Sequence, residues 1–195
     1  MASFLKSLLL VALLTAASPV DAANISLRAS AVSDVYRVVL VEGIIDTGDA
    51  KRLEQLLREA ASAGDKPLAV WLESRGGDVD VSMQMGKIIR SHRATTFNGY
   101  CASACVYTFL GGMQRIAAFG EVARLNVHRP ELAETYVEHP TTYGKSQLMI
   151  LRDYIVGMTG SDDFFDMMLK IPYATPHALQ LNEALALHVA TSVVR

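Results

Sequence analysis

Along residues 35–93 the apolar positions change twice from a strand-like run to helical spacing. A β-branched run at 35–45 predicts a buried strand, and apolar residues three and four apart between 46 and 64 predict the helix after it. The same patterns recur as a strand at 67–74 and a helix at 78–93. The fold is therefore expected to begin as strand, helix, strand, helix.

Shorter elements follow, and the carboxyl-terminal part is helical in pattern. A third strand is predicted at 94–100, and a short helix closed by two glycines at 103–112. The remaining predicted elements are short strands at 114–120 and 122–130 and helices at 142–170 and 179–189. This order argues for an α/β fold in which a mixed, mostly parallel sheet is flanked by helices. No internal repeat or linker occurs, so residues 23–195 are predicted to form a single domain.

The first 22 residues have the pattern of a secretory signal peptide. Lys6 precedes an apolar run at 7–17, and small residues lead to an expected cleavage site near Ala22. The run is shorter than the ~20 apolar residues that a membrane-spanning helix needs. We therefore expect a periplasmic or secreted protein, which would fold in an oxidising compartment that lacks ATP.

Charge and composition narrow the function classes. The 195 residues carry a net charge of −2, without a Lys/Arg cluster or interleaved aromatic and basic residues. Nucleic-acid-binding proteins usually carry a basic surface, so that class is disfavoured. A chain of this length buries enough surface to hold a core without a metal or a disulfide.

Two junctions between a strand and the following helix carry candidate chemistry, since ligands of open α/β sheets bind at strand ends. Gly76 and Gly77 allow a sharp turn whose backbone amides can approach an oxyanion. Ser103 begins a helix between Ala102 and Ala104, which leave space beside its hydroxyl. The alternatives are an ordinary turn at the glycines and a helix-capping role for the serine.

His128, at the end of a short predicted strand, is a third candidate. A histidine in such a place is usually structural, but a serine needs a neighbouring base to act as a nucleophile. Ser103 and His128 are therefore a candidate pair of nucleophile and general base.

Taken in order, these segments resemble the Clp-type serine peptidases of the ClpP/crotonase superfamily, most closely their exported ClpP-like relatives. The stretch "VVLVEGIIDTGDAKRLEQLL" is similar to that family's first strand, Gly-x-Ile turn and helix, and "VWLESRGGDVDVSMQMGKII" to its Gly-Gly oxyanion turn. "GYCASACVYTFLGG" resembles its nucleophile segment, "ARLNVHRP" its catalytic-histidine segment, and "LQLNEALALHVAT" its closing helix. The resemblance covers most of the chain after residue 22.

The resemblance implies stacked ββα units and a serine-peptidase mechanism that uses no cofactor and no metal. It implies that Ser103 is the nucleophile and His128 the general base. The backbone amides of Gly76 and Ala104 would form the oxyanion hole, and Gly77 would support that turn.

The third member of the catalytic set does not follow from the resemblance. The family's orienting acid lies shortly before the closing helix, where "YATPHALQ" contains no carboxylate. Thr175, Asp163 and Asp166 are the candidates left open. A Ser–His dyad and a catalytically silent descendant are both compatible with this departure.

Cys101 and Cys105 lie four residues apart on either side of the serine. Across one helical turn this spacing is about 6 Å, which is within the Cα separation of a disulfide. Either the two form a bridge that rigidifies the serine turn, or they pack as small buried side chains. Two cysteines without an adjacent histidine give too few ligands for a metal.

The leading prediction is thus an exported serine peptidase that acts on peptides or unfolded chains. Without ATP in its compartment, no ATPase partner is expected. An acyl-CoA enzyme of the crotonase type is disfavoured because such compartments lack coenzyme A, and a catalytically silent scaffold or binding protein is the main alternative. The resemblance also implies a homo-oligomer, with residues 142–170 as the contact element.

Overall fold

The computed structural model describes residues 22–28, 32–120, 124–131 and 142–194. The predicted signal peptide lies outside the described residues, apart from Ala22. Within these ranges one sheet is built from β1 (Asn24–Arg28), β2 (Arg37–Ile45), β3 (Leu68–Gly77), β4 (Thr95–Ala102), β5 (Arg115–Ala118), β6 (Arg124–Val127), β7 (His177–Ala178) and β8 (Ser192–Val194). The helices that can be followed from end to end are α1 (Asp49–Ser62), α2 (Val79–Ser91), α3 (Ala104–Leu110), α4 (Thr142–Thr159), α5 (Asp163–Leu169) and α6 (Leu181–Ala186).

The sheet is mixed, and its centre is parallel. The strand order is β1-β2-β3-β4-β5-β8, and β6 joins the sheet through β4 and β7. β2, β3, β4, β5 and β8 are parallel neighbours, whereas β1 is antiparallel to β2 and β7 to β6. The first half of β4 pairs with β5 and its last residues pair with β6. Because β4 changes partner along its length, its carboxyl end lies beside β6.

One face of the sheet carries the main core. Alternate residues of β2 and β3, among them Val39 and Leu72, pack with Leu53 and Leu57 of α1 and Phe109 of α3, all of them fully buried. The intervening residues on the other face form a small cluster, in which the ring of Trp71 stacks on that of Phe97 at 5.8 Å.

The apolar spacing of residues 78–93 predicts Val81, Met85, Ile88 and Ile89 on the buried face of α2, and the observed face is shifted from this one. Val81 and Ile88 are only half-buried, and Met83 is buried instead. The shift follows from Gly86, where a Cβ atom would lie 1.8 Å from the hydroxyl oxygen of Tyr154. α2 therefore turns its glycine toward α4.

Hydrogen bonds from Tyr154 and Arg90 connect α4 to the core. The Tyr154 hydroxyl donates to the backbone carbonyl of Tyr107 at 2.5 Å. The Arg90 guanidinium donates to the carbonyl oxygens of Gly111, Leu110 and Met158 at 2.9, 3.0 and 3.1 Å. Burial raises the pKa of Tyr154 above its usual range, so its hydroxyl stays protonated and available as a donor.

The structure corrects several local expectations. β1, β7 and β8 are not predicted from the pattern of apolar residues, because each is at most five residues long and none contains a buried residue. The last helix spans six residues rather than eleven. In the described ranges, no helix is long and apolar enough to cross a membrane.

Candidate active site

The candidate residues gather at one edge of the sheet. β3 ends at Gly77, β4 at Ala102 and β6 at Val127, and these three strands run parallel. Ser103 and His128 each follow the last residue of their strand. Since Ala102 pairs with Asn126, the backbones of Ser103 and His128 are close neighbours.

Ser103 has an unusual backbone conformation. Its φ of 55° and ψ of −129° lie outside the regions that side-chain-bearing residues favour, at a cost of ~1–3 kcal/mol. Its amide donates to the carbonyl of Asn126 at 2.9 Å. Although it occupies the N-cap of α3, its side chain makes no capping hydrogen bond. The sharp turn thus presents the hydroxyl at the strand end without using it to cap the helix.

Gly76 packs against this turn so closely that only glycine fits. A Cβ atom there would lie 2.7 Å from the carbonyl oxygen of Ala102, 2.8 Å from Cβ of Ser103 and 2.9 Å from the amide nitrogen of Ala104. Its φ of 99° is also in the region that glycine favours. At Gly77 a Cβ atom would come within 2.0 Å of the Ile45 carbonyl oxygen, so this residue sets the turn against β2.

The two predicted oxyanion amides differ in their partners. The amide of Ala104, at the first turn of α3, has no hydrogen-bond partner within the described residues. The amide of Gly76 donates to Oγ of Ser74 at 3.1 Å, and Ser74 is buried. Ala104 N–H is therefore available in this structure, whereas Gly76 N–H would have to exchange the serine hydroxyl for an oxyanion. Sequence reasoning assigned no role to Ser74.

The ring of His128 is held by two contacts. Its Nδ1 lies 2.7 Å from the backbone carbonyl oxygen of Arg129. The rings of His128 and Tyr173 are nearly perpendicular, with a centroid distance of 4.8 Å and an interplanar angle of 86°. No hydrogen bond joins the Ser103 hydroxyl to His128 in the described part of the chain. Catalytic hydrogen bonds often form only when substrate is bound.

None of the three residues left open for the orienting role hydrogen-bonds to His128. Asp163 accepts from the Ser161 hydroxyl at 2.7 Å and is exposed. Asp166 and Thr175 are exposed as well. Among the described residues, therefore, no side-chain carboxylate or hydroxyl forms a hydrogen bond with the ring of His128.

A carboxylate does lie in α6, just after the strand that pairs with β6, but it is engaged elsewhere. Glu183 accepts from His177 Nε2 at 2.8 Å and from the amide of Gln180 at 2.7 Å. The Gln180 amide and then His177 hold the pKa of Glu183 below its usual range. This pair anchors α6 to β7, which in turn pairs with Val127 beside the histidine.

Cys101 and Cys105 are joined by a disulfide, with their Cα atoms 5.4 Å apart. Both residues are fully buried. The bridge spans the serine and ties the end of β4 to the first turn of α3.

Glu73 is a further residue to which sequence reasoning gave no role. Its carboxylate accepts from Trp71 Nε1 at 2.8 Å and from the amide of Tyr100 at 2.9 Å. The register of β3 against β4 shifts between Leu72 and Ser74, and the carboxylate bonds the free Tyr100 amide beside that shift. No cluster of three metal-binding side chains occurs in the described residues.

Comparison with known proteins gives a family and a fold. The model of the Clp protease family matches residues 24–157. The solved structure of ClpP1 from Listeria monocytogenes is 19% identical, with a TM-score of 0.63 over 81% of this chain and 91% of that chain. The ClpP catalytic domain from Plasmodium falciparum is 15% identical, with a TM-score of 0.60 over 84% of this chain and 86% of that chain. No curated protein matches the chain. The predicted α/β fold with a mixed sheet is confirmed.

Proposed function

The chain belongs to the Clp protease family, and we propose that it is an exported serine peptidase that works without an ATP-driven partner. Ser103 is the proposed nucleophile and His128 the proposed general base. The observation that carries the proposal is the Ser103 turn. Its strained backbone, its uncapped hydroxyl and the glycine pressed against it are the features expected of a presented nucleophile.

The proposed chemistry is acyl transfer in two steps. Ser103 Oγ attacks the carbonyl carbon of a peptide bond while His128 Nε2 takes the hydroxyl proton. A C–O bond forms, and the electron pair of the carbonyl moves onto its oxygen. Ala104 N–H and an amide of the Gly76–Gly77 turn stabilise this oxyanion.

Collapse of the intermediate completes the cycle. The carbonyl re-forms as the C–N bond breaks, and His128 gives its proton to the leaving amine. A water molecule then attacks the acyl ester with His128 as the base, and the ester C–O bond breaks. The free acid leaves, and the proton returns to Ser103 Oγ.

Export is proposed from two features. The first 22 residues have the pattern of a signal peptide. The disulfide across the serine turn is of a kind that persists in oxidising compartments. Because ATP is absent there, the substrates are proposed to be peptides or unfolded chains. A homo-oligomer with residues 142–170 as the contact element is proposed on family grounds.

A catalytically silent scaffold is the second candidate. It is favoured by the absence of a side-chain acid on His128 among the described residues and by the missing Ser103–His128 hydrogen bond. An orienting acid is worth about 10,000-fold in rate in one protease, so a chain without one needs a direct test of activity.

The test is hydrolysis of an unfolded protein and of short fluorogenic peptides by the purified, oxidised protein. We expect turnover that is lost in Ser103→Ala and retained in Ser62→Ala, a matched change at an exposed serine of α1. No turnover by the folded wild-type protein, or equal turnover by Ser103→Ala, would overturn the peptidase proposal. Amino-terminal sequencing of exported protein tests cleavage near Ala22.

A further inference from the structure

We infer that His128 is oriented by a main-chain carbonyl and an aromatic ring, those of Arg129 and Tyr173, in place of a side-chain acid. The inference rests on the proposed function, because orientation matters only if His128 acts as a base. Both groups are positioning groups, since they touch the histidine and not the substrate.

The Arg129 carbonyl fixes the tautomer of the ring. The Nδ1–oxygen distance is 2.7 Å, and a carbonyl oxygen can only accept. Nδ1 must therefore carry the proton. In a neutral imidazole the other nitrogen then has a free lone pair, so Nε2 becomes the atom that can take a proton from Ser103. This is the tautomer that the acid of a catalytic triad selects.

The backbone around this carbonyl is itself held in place. The amide of Arg129 donates to the carbonyl of Ile171 at 2.9 Å. Pro130 follows and is buried, and a proline restricts the backbone of the residue before it. The acceptor is thus fixed on both sides, which a flexible surface loop would not achieve.

Tyr173 holds the ring from a second direction. It lies two residues after Ile171, so one short segment both bonds Arg129 and contacts His128. The perpendicular arrangement is the edge-to-face geometry that aromatic rings prefer. Tyr173 is 46% exposed. Its position against His128 is therefore not explained by packing into the core.

The carboxylates of α5 and α6 that precede or follow the Tyr173 segment have other partners or face solvent. Asp163 bonds Ser161, Glu183 bonds His177 and Gln180, and Asp166 is exposed. A carbonyl is neutral, so it selects the tautomer but stabilises the imidazolium less than a carboxylate does. The consequence is a dyad with the correct proton arrangement and a modest rate.

The first experiment reads the tautomer directly, by nitrogen-15 NMR of protein labelled in histidine. The His128 signals are identified by their loss in His128→Gln. We expect the neutral ring to carry its proton on Nδ1. A ring protonated on Nε2, or an equal mixture, would overturn the inference. This readout needs no activity, so it stands even if the peptidase proposal fails.

The second experiment compares rates of labelling by a fluorophosphonate, which reacts with activated serines. Tyr173→Ala is expected to lower the maximal rate by about 10-fold, a fraction of what a general base contributes, and to mix the two His128 tautomers. Tyr173→Phe, which keeps the ring, is the matched control and should react within about twofold of wild type.

Three further variants test the excluded side chains. Asp163→Asn, Asp166→Asn and Thr175→Ala are each expected to label at the wild-type rate. A loss of about 10-fold or more in any of them would identify a side-chain acid or hydroxyl as the orienting group and contradict the inference. Unchanged labelling in Tyr173→Ala would contradict the part of the inference that assigns an orienting role to the Tyr173 ring.

Discussion

The two sides of the candidate site are held by different means. The serine turn, residues 101–105 with Gly76, is covalently bridged, and Cys101, Ala104 and Cys105 are at most 1% exposed. The histidine segment, residues 126–129, ends in two half-buried residues: the Arg129 amide donates to the Ile171 carbonyl, and the His128 ring contacts the ring of Tyr173. Ser103 and His128 are both half-buried, but Ser103 is flanked by a disulfide and core residues, whereas His128 is followed by another half-buried residue.

This difference teaches where the site tolerates change. Ser103 is set by the packing of β3, β4 and α3, so its position persists as long as the fold does. His128 depends on a few contacts from the segment after α5, which can be altered without disturbing the core. A family member can therefore lack the orienting acid and still present its serine.

The largest effect is expected at the glycine under the serine turn. Gly76→Ala forces a Cβ atom to within 2.7 Å of the Ala102 carbonyl oxygen, which must push the turn apart. We expect fluorophosphonate labelling of Ser103 to fall by about 100-fold or more, as on loss of an oxyanion donor. Rates are measured beside circular dichroism spectra to show that the fold is retained.

Gly157→Ala is the matched control, because a Cβ atom at this exposed helical glycine meets nothing within 4 Å. It should label at the wild-type rate. Equal labelling by both variants would mean that the close approach of Gly76 has no part in the site.

An intermediate effect is expected from the disulfide. Replacing Cys101 and Cys105 together by alanine removes a cross-link with a sequence separation of 4. The free energy of unfolding should fall by about 2 kcal/mol, measured by urea denaturation. Reductant should destabilise the wild type similarly and leave the variant unchanged. If reductant does not lower the stability of the wild-type protein, the disulfide does not hold the serine turn as described.

The smallest effect is expected beside the histidine segment. Glu183→Gln weakens the bonds to His177 and Gln180, and since the side chain is 39% exposed the cost should be only about 0.5 kcal/mol of unfolding free energy. The folded-state pKa of Glu183 is lowered, so its contribution is present above the unfolded value of about 4.3 and is lost as pH falls through the folded value.

The two proteins should therefore differ in stability at pH 7 and converge as the pH falls through the folded-state pKa of Glu183, where its carboxylate becomes protonated. Glu59→Gln on the exposed face of α1 serves as the control. A stability difference that grows on acidification would have the wrong sign and would contradict the assignment.

The sequence predicts the fold better than it predicts contacts. The long strands and α1 to α4 follow from runs and spacings of apolar residues, whose burial is a local and periodic matter. The two-residue strand β7 and the three-residue strand β8 form only because β6 and β5 offer them an edge. The sequence predicts Asp46 or Thr47 as the cap of α1, but the N-cap residue is Gly48, with its backbone in the left-handed region.

For the site, the sequence supplied the junctions but not the partners. Ser103, Gly76 and His128 can be found from the sequence because each lies at the carboxyl end of a predicted strand. The hydroxyl of Ser74, the Arg129 carbonyl and the ring of Tyr173 are not, because their roles depend on distances across the fold. A carbonyl in particular is present at every residue and leaves no signal in the sequence.

The central claim is that Ser103 is an activated nucleophile. It is tested most directly by treating the purified, oxidised protein with a fluorophosphonate and locating the adduct by intact mass and peptide mapping. The account predicts one adduct, on Ser103, that is lost in both Ser103→Ala and His128→Ala. No adduct on the folded protein, or an adduct that forms equally without His128, would contradict it.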